Sequence, residues 1–138
     1  MLLEILAKHP NMMVRHEVAF VLLELEERNP VLMKMMRKDI IKVLSRRVKC
    51  DKSVVVKHEV LETLGYIGDK TCRKLLRRYL KSKNNDIKES ALFALQLLES
   101  RLRKIPGSNL VELAVSSNRK KIYNNIKHKS AINARNAT

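Results

Sequence analysis

Apolar residues recur at three- and four-residue spacing through most of this chain, a rhythm that predicts helices. Between Met12 and Arg28, Val14, Val18, Val21, Leu22 and Leu25 form one stripe, with Asn11 placed to cap its start. Upstream, Leu2, Leu3, Ile5 and Leu6 fit one face of a short helix that ends before Pro10. It reads as the second helix of a pair whose first lies outside the sequence. Asn29-Pro30 breaks the helix that precedes it, and Pro30 suits the first turn of the next. There the predicted stripe passes through Leu32, Met36, Ile40 and Leu44, or through rows beside them. The other face carries Lys34, Arg37, Lys38, Lys42, Arg46, Arg47 and Lys49, with Asp39 as its single acid.

A further helix begins at Asp51 or Ser53 and ends between Gly65 and Gly68. In TCRKLLRRYLKSK, Leu75, Leu76, Tyr79 and Leu80 are the packing side, and Arg73, Lys74, Arg77, Arg78, Lys81 and Lys83 face out. Asn84-Asn85-Asp86 supplies a turn and cap, and Ile87, Ala91, Ala94, Leu95 and Leu98 form the buried row of a helix reaching about Arg103. Pro106-Gly107-Ser108 closes this region. A short helix, NLVELAVSS, is expected to cover the apolar end of the stack through Leu110, Leu113 and Ala114. Past Ser117 the apolar rhythm fades into a basic stretch, which composition predicts to be disordered until a polyanion holds it.

One phrase occurs three times. Val14-Arg15-His16-Glu17, Val56-Lys57-His58-Glu59 and Ile87-Lys88-Glu89-Ser90 share one hydrophobic frame at offsets of 42 and then 31 residues. Helix pairs repeated at such periods stack into solenoids of the HEAT type, because a lone pair cannot bury its own apolar face. The expected fold is therefore all-α: a short HEAT-like helical-repeat stack over 1–117 with its capping helix, then a basic C-terminal tail over 118–138.

Composition agrees, since 3 Gly and 3 Pro in 138 residues leave little room for loops or a sheet. The two cysteines, Cys50 and Cys72, form neither a disulfide framework nor a zinc pattern. Charge adds the functional signal: 29 basic residues against 14 acidic ones give a net charge of +15, which suggests a polyanionic partner, most often nucleic acid. No apolar run has the length of a membrane span, and no signal or transit pattern opens the chain, so a cytoplasmic protein is expected. There is no P-loop, no dinucleotide-binding glycine turn and no nucleophile–base pattern, so no catalytic residue is assigned.

The order HEVAFVL, then VVVKHEVLETLGYIGD, then DIKESALFALQLLE resembles one half of deoxyhypusine hydroxylase over roughly residues 1–104. That family is a HEAT-repeat di-iron enzyme whose two halves each carry two His-Glu dyads followed by a repeat with Glu-Ser in the dyad's place. The resemblance implies iron ligands at His16, Glu17, His58 and Glu59. Imidazole and carboxylate donors suit non-haem iron. It also implies that a two-fold homodimer of this chain would supply the four dyads of a complete centre.

Charge decides between two readings. The hydroxylase's target is a lysine-bearing basic loop, which a strongly basic surface repels. The favoured reading is a non-catalytic HEAT-repeat module, cofactor-free, that binds structured RNA and is associated with the ribosome, with ribosomal proteins as neighbours. With so few aromatic residues for base stacking, phosphate contacts and shape readout are expected. The expected contacts are Arg46, Arg47, Lys49, Arg77, Arg78, Lys81, Arg119, Lys120 and Lys121. The alternative is an iron-dependent deoxyhypusine hydroxylase assembled as a homodimer.

Overall fold

The computed structural model describes residues 1–103, which form six α-helices. They are α1 (Leu2–Lys8), α2 (Met12–Arg28), α3 (Pro30–Cys50), α4 (Val54–Ile67), α5 (Cys72–Tyr79) and α6 (Asn85–Leu102). The expected capping helix and basic tail lie outside the described residues.

Local chemistry sets the helix starts. The Asn11 side chain accepts from the Met13 and Val14 N–H groups, Ser53 from Val56, and Asn84 from Ile87. Each cap stands three residues before the first apolar residue of the repeated phrase, so the frame shared by α2, α4 and α6 extends to their caps. Asn29 caps α3 through the Leu32 N–H, and Pro30 occupies its first turn. The unequal repeat offsets come from the connecting helices: α3 has 21 residues and α5 has 8.

The six helices form two layers. In one, α4 packs between α2 and α6; in the other, α3 touches both α1 and α5. Between the layers α4 meets α3 most extensively, α1 packs on α2, and α5 packs on α6. The core runs through Leu6, Leu22, Leu44, Leu61, Leu64, Ile67, Leu76 and Leu98, all buried. Helix α2 buries Ala19 and Leu23 beside the expected Val18 and Leu22, because neighbours press on two of its sides.

Of the rows open on α3, the buried one is a neighbour of Leu32 and Met36. Leu32 and Met36 are exposed, and the buried row is Met33, Ile40, Leu44 and Val48. Arg37 fills the gap in this row instead of facing solvent, donating to the Ile67 carbonyl at 2.8 Å and to Glu26 at 2.8 Å. The Ile67 carbonyl is one of the orphan acceptors at the end of α4, and a guanidinium satisfies it well.

Other arginines perform the same task. Arg101 donates to the Gly65 and Gly68 carbonyls, Arg47 to Leu6 and Ala7, and Arg15 to His9 and Pro10. Arg15 and Arg47 both also contact the buried Asp51 carboxylate. Five of the basic residues that give this chain its charge thus act as internal splints, the fifth being Arg73, which pairs with Glu99 between α5 and α6. Both cysteines are free thiols, Cys50 exposed and Cys72 buried.

Candidate functional site

The residues of the repeated phrase occupy the second turn of α2, α4 and α6, but their side chains turn in different directions. On α2, His16 is buried and Glu17 is exposed. On α4 the order inverts: Glu59 is buried and His58 is half-buried. On α6, Ser90 is buried and Glu89 is exposed.

A polar ladder results, running across the layer of α2, α4 and α6. His16 Nε2 faces Glu59 Oε2 at 3.4 Å, and its Nδ1 faces Glu17 Oε1 at 3.4 Å. His58 Nδ1 forms a hydrogen bond with the Ser90 hydroxyl, and its Nε2 lies 3.5 Å from Glu62 Oε1. Ser90 in turn donates to the Asp86 carbonyl at 2.6 Å. Thr63 donates to the Glu59 carbonyl at 2.8 Å, which ties the second turn of α4 to its third.

Electrostatics follows from the burial. The Glu59 carboxylate raises His16 above the ordinary imidazole range against the opposing pull of burial, and Glu17 adds to the rise. Glu62, absent from the dyads, carries the strongest perturbation. Burial, with the Glu59 charge beside it, pushes its carboxyl up to about 8. Its one sequence signal is its place four residues after His58 on the same helix face.

The sign of this shift makes a prediction. A carboxyl whose pKa is raised on folding stabilises the fold least where it must ionise, so stability drains as pH rises from about 4.5 through about 8. Glu62→Gln removes that penalty. Discounted for the nearby imidazole and residual solvent, the gain is about 2 kcal/mol at pH 8 and near zero at pH 4.5. Urea denaturation of both proteins at the two pH values measures it. A variant no more stable than the parent at pH 8 refutes the assignment.

Among the described residues no three His, Cys, Asp or Glu side chains are grouped so as to hold an ion. His16 turns toward α4 and His58 toward α6, so the two imidazoles engage different partners. The four residues implied as iron ligands are thus divided between two sets of partners in this arrangement.

The expected nucleic-acid contacts fall into three groups. Arg46 and Lys49 on α3, Arg77 and Arg78 on α5, and Lys81 just beyond it are exposed. Arg47 is half-buried, pairs with Asp51 at 3.3 Å and donates to the end of α1. Arg119, Lys120 and Lys121 lie outside the described residues.

Comparison with known proteins agrees with the repeat geometry. A family model described as HEAT repeats matches residues 1–96. The chain belongs to the HEAT-repeat family. This HEAT-repeat chain is also 33% identical over 85 residues to deoxyhypusine hydroxylase of Danio rerio, a match covering 62% of this chain and 25% of the relative. With deoxyhypusine hydroxylase of Drosophila melanogaster it shares 33% identity over 92 residues, covering 67% of this chain and 28% of the relative. The match thus spans about a quarter of the length of these relatives. No solved structure matches the HEAT-repeat chain. No helix among its described residues is long and apolar enough to cross a membrane.

Proposed function

We propose that this HEAT-repeat chain is a non-catalytic binding module that docks on structured RNA, such as that of a ribosome, through phosphate contacts. The observation that carries this reading is the division of its cations. Arg15, Arg37, Arg47, Arg73 and Arg101 are engaged with carboxylates or helix-end carbonyls. Arg46, Lys49, Arg77, Arg78 and Lys81 are exposed and form no ion pair with another described residue.

Tyr79 donates to the Val48 carbonyl at 3.0 Å, which sets the ends of α3 and α5 side by side. The free cations of the two helices therefore share one end of one layer. Cations near helix C-termini gain a few tenths of a kcal/mol from the macrodipole. A surface shaped only for solubility intersperses the two signs, and Asp39 is the only acid on α3. Phosphate is the partner that this excess suits.

Changing Arg77, Arg78 and Lys81 together to Glu is expected to weaken binding to ribosomal RNA by at least about tenfold and to flatten the salt dependence of binding. Reversal of Arg119, Lys120 and Lys121 is expected to act in the same direction. Arg46→Glu should weaken binding, whereas Arg47→Glu should instead lower thermal stability. Filter binding across a salt series distinguishes these effects. Unchanged, weakly salt-dependent binding would sink the RNA reading. Iron at about one equivalent per chain in a purified dimer would replace it with the hydroxylase.

A further inference from the structure

We propose that the N-terminal half of α3 is a docking surface for an acidic amphipathic protein helix. The inference uses the opposite half of α3 from the RNA reading and does not rest on it. Val31 and Met35 are 71% and 80% exposed, and Leu32 and Met36 beside them are 42% and 39% exposed. Spacing of four residues stacks Val31 over Met35 and Leu32 over Met36, giving one apolar strip two turns long. The buried row of the same helix, Met33, Ile40, Leu44 and Val48, lies on its far side.

Nothing among the described residues requires this strip. Asn29 and Pro30 already start the helix, and any good helix former would serve at the four positions. A contiguous apolar strip on a chain this charged marks a contact, and thioether side chains adapt well to a partner's shape.

The rim identifies the occupant. Lys34, Lys38 and Lys42 stand exposed along the strip, with Asp39 as the one acid on the helix. A second copy would bring two sets of these lysines together in chains of net charge +15, so charge disfavours self-association here. RNA could meet the lysines, but it would leave the aliphatic and thioether surface without a stacking partner. A helix with apolar residues at three- and four-residue spacing and acidic flanks satisfies both the strip and the rim. Two turns offer well under the roughly 800 Å² per side of a standard interface, so the contact is weak and micromolar.

The probe is a synthetic helix with Leu at those spacings and Glu elsewhere, titrated against the full chain by fluorescence anisotropy. A Lys-for-Glu version is the control. The Glu peptide is expected to bind with Kd on the order of 10–100 μM, and the Lys peptide at least about tenfold more weakly. Met35→Glu should cost about tenfold or more, Val31→Ser several-fold, and both should leave the thermal midpoint and RNA affinity unchanged. Three results overturn the proposal. One is no binding of the Glu peptide up to about 1 mM. Another is equal binding by Met35→Glu, which would mean charge alone. The last is a dimer in sedimentation that Met35→Glu dissolves, which would make the occupant a second copy.

Discussion

Asp51→Ala is expected to cost about 3 kcal/mol, a large share of the roughly 5–15 kcal/mol that holds a domain of this size folded. The Asp51 side chain is fully buried between α3 and α4. One oxygen accepts from Arg15 Nε at 2.7 Å and the other from Arg15 Nη2 at 2.9 Å, the paired geometry in which a carboxylate and a guanidinium bind most strongly. Arg47 Nε stands 3.3 Å away, and the Ser53 N–H donates at 3.0 Å. One carboxylate therefore joins α2 to α3 and prepares the cap of α4. Through the carbonyls that the two arginines also hold, it fixes the end of α1.

Removing it leaves two guanidinium groups facing each other with their anion gone, which costs more than the pair contributed. Some solvent reaches both arginines, at 13% and 17% exposure, so the lower end of the range for broken buried pairs applies. Asp51→Asn keeps the size and part of the hydrogen bonding and should lose about half as much. Equilibrium urea unfolding reads both values. An alanine variant within 1 kcal/mol of the parent would show that the junction is not what holds α1 in place.

The same carboxylate sets the acid limit of the fold. Burial raises its pKa, but the Arg15 bond, the Ser53 N–H and the two guanidinium charges outweigh that effect and hold it below the usual range. A depressed carboxyl contributes fully above its unfolded value near 3.9 and is lost as pH falls through its folded one. Asp51 thus supports stability at neutral pH and fails in acid, whereas Glu62 does the reverse. The optimum between them should shift toward higher pH in Glu62→Gln.

The helix starts were legible in the sequence because they depend on local chemistry. Asn11, Ser53 and Asn84 each satisfy N–H groups two or three residues away. The row on α3 was not, because Arg37 lies there for the sake of Ile67, 30 residues on. The same reason separates Arg46 from Arg47: adjacent residues of one type, one free and the other held by α1 and Asp51. At the candidate site the repeated register was visible, but the direction of each side chain was not. Whether His58 meets α2 or α6 depends on how far α4 is turned between them, a property of packing that the phrase VKHE does not contain.

That packing hinges on Gly65, and Gly65→Leu is expected to destabilise the domain by about 3 kcal/mol or more. A Cβ at this position would stand 2.6 Å from Ala94 Cα and 2.6 Å from its carbonyl oxygen, so backbone rather than a flexible side chain blocks it. Gly65→Ala separates two opposing effects. Helix propensity favours alanine by about 1 kcal/mol. The overlap with α6 costs about 1–3 kcal/mol because α4 and α6 must move apart, and the net effect is destabilising. With a shift of roughly 4–8 °C per kcal/mol for a domain this size, the Leu variant should melt at least about 12 °C below the parent. Ala94→Gly in the same chain relieves the 2.9 Å approach to the Ala94 Cβ but not the backbone overlap, so rescue should be partial. The moved helices would also stretch the His58–Ser90 bond, so the His58 ring resonances should shift in Gly65→Ala before the fold is lost. A Gly65→Ala protein that is more stable than the parent, with unshifted His58, would mean that the approach of α6 does not constrain Gly65 and that propensity alone governs the site.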